Sequence, residues 1–239
     1  MRGLALVLAI GIVSTAHAGR TPFGWLYGTE TLPERGVELE TWLQELDGKA
    51  GTDQTLVLWA PVFAITDRLE LALPIEVAYN RAAAGASTQL DKFGAEIRWR
   101  LTDPDPVESG PFAPLIRLAV KRLVGKRDTL RLDGGLVLGL DLGRVHLGAD
   151  LGVLSTIDTS GNSATEARPG VGVSVAVTDE LLVGAEGFAD LQIDGSAPSW
   201  IGIGPDLAYS HGRSWLSGAF LIGVKNVDIA PRLLWGIAF

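Results

Sequence analysis

From Arg35 onward, apolar residues alternate with polar or small ones at a period of two, in segments separated by turn residues. Val37, Leu39, Thr41 and Leu43 alternate with Glu38, Glu40, Trp42 and Gln44. Leu69, Leu71, Leu73, Ile75, Val77 and Tyr79 alternate with Glu70, Ala72, Pro74, Glu76, Ala78 and Asn80. Phe93, Ala95, Ile97, Trp99 and Leu101 oppose Lys92, Gly94, Glu96, Arg98 and Arg100, and Ile229, Pro231, Leu233, Trp235, Ile237 and Phe239 oppose Ala230, Arg232, Leu234, Gly236 and Ala238. Strand side chains point to opposite faces in turn, whereas a helical stripe recurs at three and four. The spacing therefore predicts strands throughout.

About twelve such segments are countable, centred near Leu39, Trp59, Ile75, Ile97, Leu118, Leu136, Leu147, Val173, Ala185, Ile203, Phe220 and Leu233. Which face points inward is ambiguous for the second, tenth and eleventh. The fold expected over residues 35–239 is all-β: an up-and-down antiparallel transmembrane β-barrel with an apolar outer face and a polar or small lumen. Connection lengths fit, because periplasmic turns should be the short ones. Thr66-Asp67-Arg68, Gly143-Arg144, Thr178-Asp179-Glu180 and Ser210-His211-Gly212-Arg213 fall on that side, while residues 47–53, 80–87, 157–168 and 190–198 fall outside and are longer. Residues 102–110 are the periplasmic exception. Trp99, Tyr209 and Phe239 lie near periplasmic strand ends and Tyr79 near an outer one, where aromatic rings favour the interface.

The first residues carry a different signal. Arg2, an apolar stretch over residues 4–13, and Ala16-His17-Ala18 before Gly19 read as a signal peptide over residues 1–18. The apolar stretch falls short of the roughly 20 residues needed to span a bilayer as a helix. Residues 19–34, which include Trp25, are expected either in the periplasm or tucked into the lumen. No later apolar run is long enough for a helical span, since residues 56–65 are broken by Pro61.

Composition narrows the class. The hydrophobic fraction is 47% with 30 Gly, and mean hydropathy is +0.25, values a membrane barrel reconciles better than a soluble exported chain. There is no Cys, which excludes disulfide and thiolate chemistry. The net charge of −8 becomes −9 once Arg2 leaves, which argues against nucleic acid as a partner. Expected partners are outer-membrane lipid, the barrel-assembly machinery and a small-molecule solute. No cofactor is implied, and no His lies among carboxylates at metal-binding spacing.

Charge concentrates on the lumen face: Glu38, Glu40, Glu70, Glu76, Glu96, Asp133, Asp141, Asp150, Glu186 and Asp206 with Lys92, Arg98, Arg100, Arg117, Lys121, Arg131 and Arg232. Buried charges need partners, so one reading is an ion-pair lattice that fills the barrel. The other is a charged constriction that selects solutes, with Arg98, Arg100, Arg117, Lys121 and Arg131 as a basic wall. An enzyme is not expected: His146 and His211 fall at the periplasmic end, without a nucleophile beside them. The alternating glycines at 170 and 172, and at 202 and 204, are expected to leave lumen space or ease curvature.

Two resemblances accompany this reading. The ending through Leu233, Trp235, Ile237 and Phe239 resembles the C-terminal signal that the assembly machinery of outer-membrane barrels reads. Leu32-Pro33-Glu34-Arg35-Gly36-Val37-Glu38-Leu39-Glu40, followed by Ala64-Ile65-Thr66-Asp67-Arg68-Leu69-Glu70-Leu71, resembles the opening hairpins of outer-membrane transporters of the phenol-degradation meta-pathway. That resemblance implies a channel for small, apolar molecules. The expected function is a narrow passive channel or uptake protein in the outer membrane of a Gram-negative bacterium. The alternatives are a closed structural or surface-interaction barrel and a soluble exported β-sandwich.

Overall fold

The computed structural model describes residues 21–48, 53–82, 85–195 and 197–239; the leader read over residues 1–18 lies outside them. The strands are β1 (Val37–Leu46), β2 (Asp53–Thr66), β3 (Leu69–Ala72), β4 (Ile75–Ala82), β5 (Gly85–Arg100), β6 (Phe112–Leu123), β7 (Thr129–Leu142), β8 (Val145–Asp158), β9 (Ser163–Ala176), β10 (Leu181–Asp194), β11 (Trp200–His211), β12 (Ser214–Lys225) and β13 (Ile229–Ala238). Each pairs antiparallel with its neighbour, and β13 returns to β1 with Leu39 opposite Ile237 and Leu43 opposite Leu233. This closes the sheet and leaves no edge to pair elsewhere.

The thirteen pieces make a twelve-strand barrel, because β3 and β4 are two halves of one strand. The break falls at Leu73-Pro74, opposite Pro61 on β2. Neither proline has an N–H to give the ladder, so Leu73 donates to the Pro61 carbonyl and Gly94 to that of Pro74. Alternation keeps its phase across the gap, which is why the sequence reads as one strand.

Leu39, Ile97, Leu118, Leu151, Ile203 and Phe220 are among the large apolar side chains exposed on the outer face. A 12-residue strand rises roughly 40 Å, and at the usual barrel tilt it crosses the hydrocarbon layer. Such an exterior is stable in lipid rather than in water. Two of the tight turns use one device: Thr66 Oγ1 accepts the N–H groups of Arg68 and Leu69, and Thr178 Oγ1 accepts those of Glu180 and Leu181. The long exception, residues 102–110, holds a single helical turn, α1 (Pro106–Ser109), started by Asp105 Oδ1 accepting the Val107 N–H.

The three ambiguous strands have defined faces. Leu58, Ala60, Val62 and Ala64 of β2 point inward; so do Trp200, Asp206 and Ala208 of β11 and Trp215, Ser217, Ala219 and Leu221 of β12.

Candidate functional site

Residues 21–34 run inside the barrel. Thr31 Oγ1 donates to the carbonyl of Asp67 in a periplasmic turn. Farther in, Trp25 packs with Leu46, Phe188, Trp200, Leu221, Val227 and Ala230 towards the outer end. Its ring lies 5.1 Å from Phe188 and 5.2 Å from Trp200, and its Nε1 donates to the Ala230 carbonyl. Leu32 seats on a patch of Leu58, Ala60, Val62, Ala64 and Ala72.

At several positions the wall accommodates this segment with glycine. A Cβ on Gly172 would come within 2.6 Å of the Phe23 ring and 2.7 Å of Leu26, one on Gly170 within 2.7 Å of Leu26, and one on Gly139 within 2.7 Å of Thr29 Oγ1. A Cβ on Gly148 would collide with Phe23. The reverse holds at Gly24, whose backbone lies so close to Gly218 and Ala219 of β12 that no Cβ fits. Of the alternating glycines, Gly170 and Gly172 do leave space, which Phe23 and Leu26 of the segment occupy, whereas Gly202 and Gly204 lie against Leu221 and Phe220 of β12.

Wall carboxylates hold its backbone. Glu186 accepts the N–H groups of Gly24, Trp25 and Leu26 at 2.9 to 3.1 Å, Asp150 accepts that of Tyr27 at 2.9 Å, and Glu70 that of Leu32. Arg232 Nη1 donates to the Trp25 carbonyl at 2.9 Å, and Ser217 to that of Thr21. Arg117 lies 3.9 Å over the Tyr27 ring, and Arg232 lies 4.2 Å over Trp42.

A second set of charges is satisfied within the wall. Arg98 pairs with Glu40 and Glu96, and Arg117 bridges Glu96 and Asp133 at 2.9 and 2.6 Å. Lys121 and Lys92 share Glu76 at 2.6 and 2.7 Å. Arg168, which the sequence reading passed over, spans Asp133 and Asp190 at 3.5 and 3.6 Å. Arg100 reaches Glu30 of the inner segment at 3.2 Å, and Glu38 accepts the Trp215 indole N–H. Charges read as a basic wall are thus interleaved with acids. Arg131 is half-buried, in register with Lys121 of β6.

The space beside Tyr27 is small. Cavities of about 30 and 20 Å³ lie on either side of Tyr27, the first against Glu40, Trp42 and Arg98, the second against Arg117, Asp150 and Phe188. Each has room for one or two waters.

At the rims, Leu233, Ile237 and Phe239 are exposed on the outer face and Trp235 is half-buried there. His146 bonds Asp141 at 2.6 Å, and His211 bonds Glu180 at 2.6 Å, which holds the Glu180 carboxyl below its ordinary range. Ser174 stands opposite His146 in register, but its hydroxyl makes no hydrogen bond to the ring. No group of His, Cys, Asp and Glu among the described residues could hold a metal ion.

No family model and no curated protein matches this sequence. Solved structures do. An outer membrane channel from Pseudomonas putida F1 superposes with a TM-score of 0.57 at 13% identity, over 88% of this chain and 98% of that one. The β domain of the Bordetella autotransporter Brka gives 0.56 at 12% identity, over 85% and 99%. The KdgM porin in complex with disordered oligogalacturonate gives 0.53 at 9%, over 85% and 99%. At these identities the likeness establishes the fold, that of Gram-negative outer-membrane β-barrels.

Proposed function

We propose that the protein is a narrow passive channel of the outer membrane for small solutes, held closed by its own residues 21–34. One observation carries this reading: what fills the lumen is separate from the wall. The inner segment adds no strand to the sheet, and Gly148, Gly170, Gly172, Ser217, Ala219 and Ala230 are among the positions facing it. Wall side chains suffice to fill a barrel of about eight strands, and the interior widens with each strand added. Here the strands leave a bore and a detachable piece occupies it. The wall lattice of Arg98, Arg117, Lys121 and their acids would keep the bore in shape when the piece moves. Similarity to porins and to an outer membrane channel supports the same class, as does the resemblance of the opening hairpins to meta-pathway transporters. Leu233, Trp235, Ile237 and Phe239 complete the proposal as the signal for assembly.

A removable cross-link tests it. The chain has no Cys, and a Cβ on Gly139 would sit 2.7 and 3.2 Å from Thr29 Oγ1 and Cγ2, a spacing suited to a disulfide in Thr29→Cys/Gly139→Cys. In planar bilayers the oxidised protein should be silent, and reductant should restore openings. Silence of the reduced variant, the parent and a form lacking residues 21–31, all folded by heat-modifiable migration on gels, would leave a closed barrel.

A further inference from the structure

Resting on the channel reading, we infer that the opened lumen selects cations, through Asp150, Glu186 and Asp206. These three residues lie on the inner face of β8, β10 and β11. Their solutes are small cations able to donate N–H groups, ammonium and protonated amines, with alkali cations passing as well.

The lumen charges divide by what satisfies them. Arg98, Arg117, Lys121 and Lys92 keep their carboxylate partners on the wall whether or not residues 21–34 are present. The basic side is therefore neutralised permanently. Asp150 and Glu186, by contrast, are held by backbone N–H groups of the inner segment; Arg232 is near both and Arg117 near Asp150, but no Lys or Arg of the described residues makes a direct ion pair with either. Both lose these N–H donors when the segment leaves. Asp206 is unpartnered already: it is 4% exposed, and neither carboxylate oxygen accepts a hydrogen bond of normal geometry, even from the Ser174 hydroxyl beside it.

A buried carboxylate without a partner is strongly unfavourable, and a mobile cation relieves it. Opening also releases Arg232 from the Trp25 carbonyl and Arg100 from Glu30, yet the sum is still acidic, with ten buried carboxylates against six buried lysines and arginines among the described residues. Part-buried Arg168 stays between Asp133 and Asp190 and does not reverse the sign. The segment itself indicates the ligand chemistry, since Glu186 is shaped to receive three convergent N–H donors.

The experiment uses the full chain carrying Gly172→Leu, which dislodges the segment, and in parallel Phe23→Ala/Trp25→Ala, which loosens it without adding bulk. Reversal potentials are read across gradients of potassium chloride and of methylammonium chloride. Both variants should favour the cation, and adding Glu186→Gln/Asp206→Asn should lower the cation-to-anion permeability ratio several-fold. A conducting lumen that favours chloride, or a ratio unmoved by the added pair, would overturn the inference while leaving the channel intact. Folded variants that never conduct would remove the channel reading and this inference with it.

Discussion

Arg98 and Glu40 meet fork to fork on the inner face of the wall, Nη1 to Oε1 at 2.6 Å and Nη2 to Oε2 at 2.8 Å. The pair ties β5 to β1 although β2 and the split strand lie between them in the sheet. Arg98→Gln leaves Glu40 and Glu96 buried without this cation, and a broken buried pair typically costs about 3 to 5 kcal/mol. A lower thermal unfolding midpoint is expected, partly recovered in Arg98→Gln/Glu40→Gln. Unchanged midpoints would mean that the pair contributes nothing to the barrel.

Gly148 and Gly172 seat the ring of Phe23. Enlarging either, as in Gly148→Leu, should expel residues 21–34 without disturbing insertion. Limited proteolysis should then cut the expelled segment several-fold faster than in the parent. Equal rates would show that the segment is held elsewhere.

Leu138 and Gly139 test the two faces. Arginine at Leu138 projects into lipid at a cost of about 2 to 4 kcal/mol near the midplane, so insertion should fall. Arginine at Gly139 meets Thr29 inside, so insertion should persist while the inner segment is displaced. Membrane-inserted fractions that are equal, or reversed, would contradict the register.

Phe239 donates its backbone N–H to the Val37 carbonyl at 2.9 Å, across the seam between the last strand and the first. Deleting it should reduce assembled protein far more than Asn226→Ala in an outer turn. Comparable yields of heat-modifiable barrel from the two would remove Phe239 from the assembly signal.

Alternation made the outer face legible wherever the inner one is charged, as in Phe93, Ile97 and Trp99 against Glu96, Arg98 and Arg100. It failed on β2, β11 and β12 for a physical reason. There the inner residues Leu58, Val62, Trp200, Trp215 and Leu221 are as apolar as the outer ones, because several of them pack against Leu32 and Trp25 rather than meeting water. Gly170 and Gly172 leave the space that their alternation suggests, but its occupant, Phe23 and Leu26, belongs to a segment without periodicity of its own. Charge partners were also out of reach. Arg98 finds Glu40 only because the barrel brings strands of distant sequence around one bore, and spacing along a strand carries no record of that.

The contacts of Trp25 with the last strand have a kinetic consequence. Its indole meets the Ala230 carbonyl over a separation of 205 residues, and its own carbonyl meets Arg232 over 207. Contacts this remote in sequence form late, because the chain between them must already be ordered. Trp25 is therefore a guest that arrives before its host is complete. When β13 zips onto β1, it encloses a tryptophan made 205 residues before its partner Ala230.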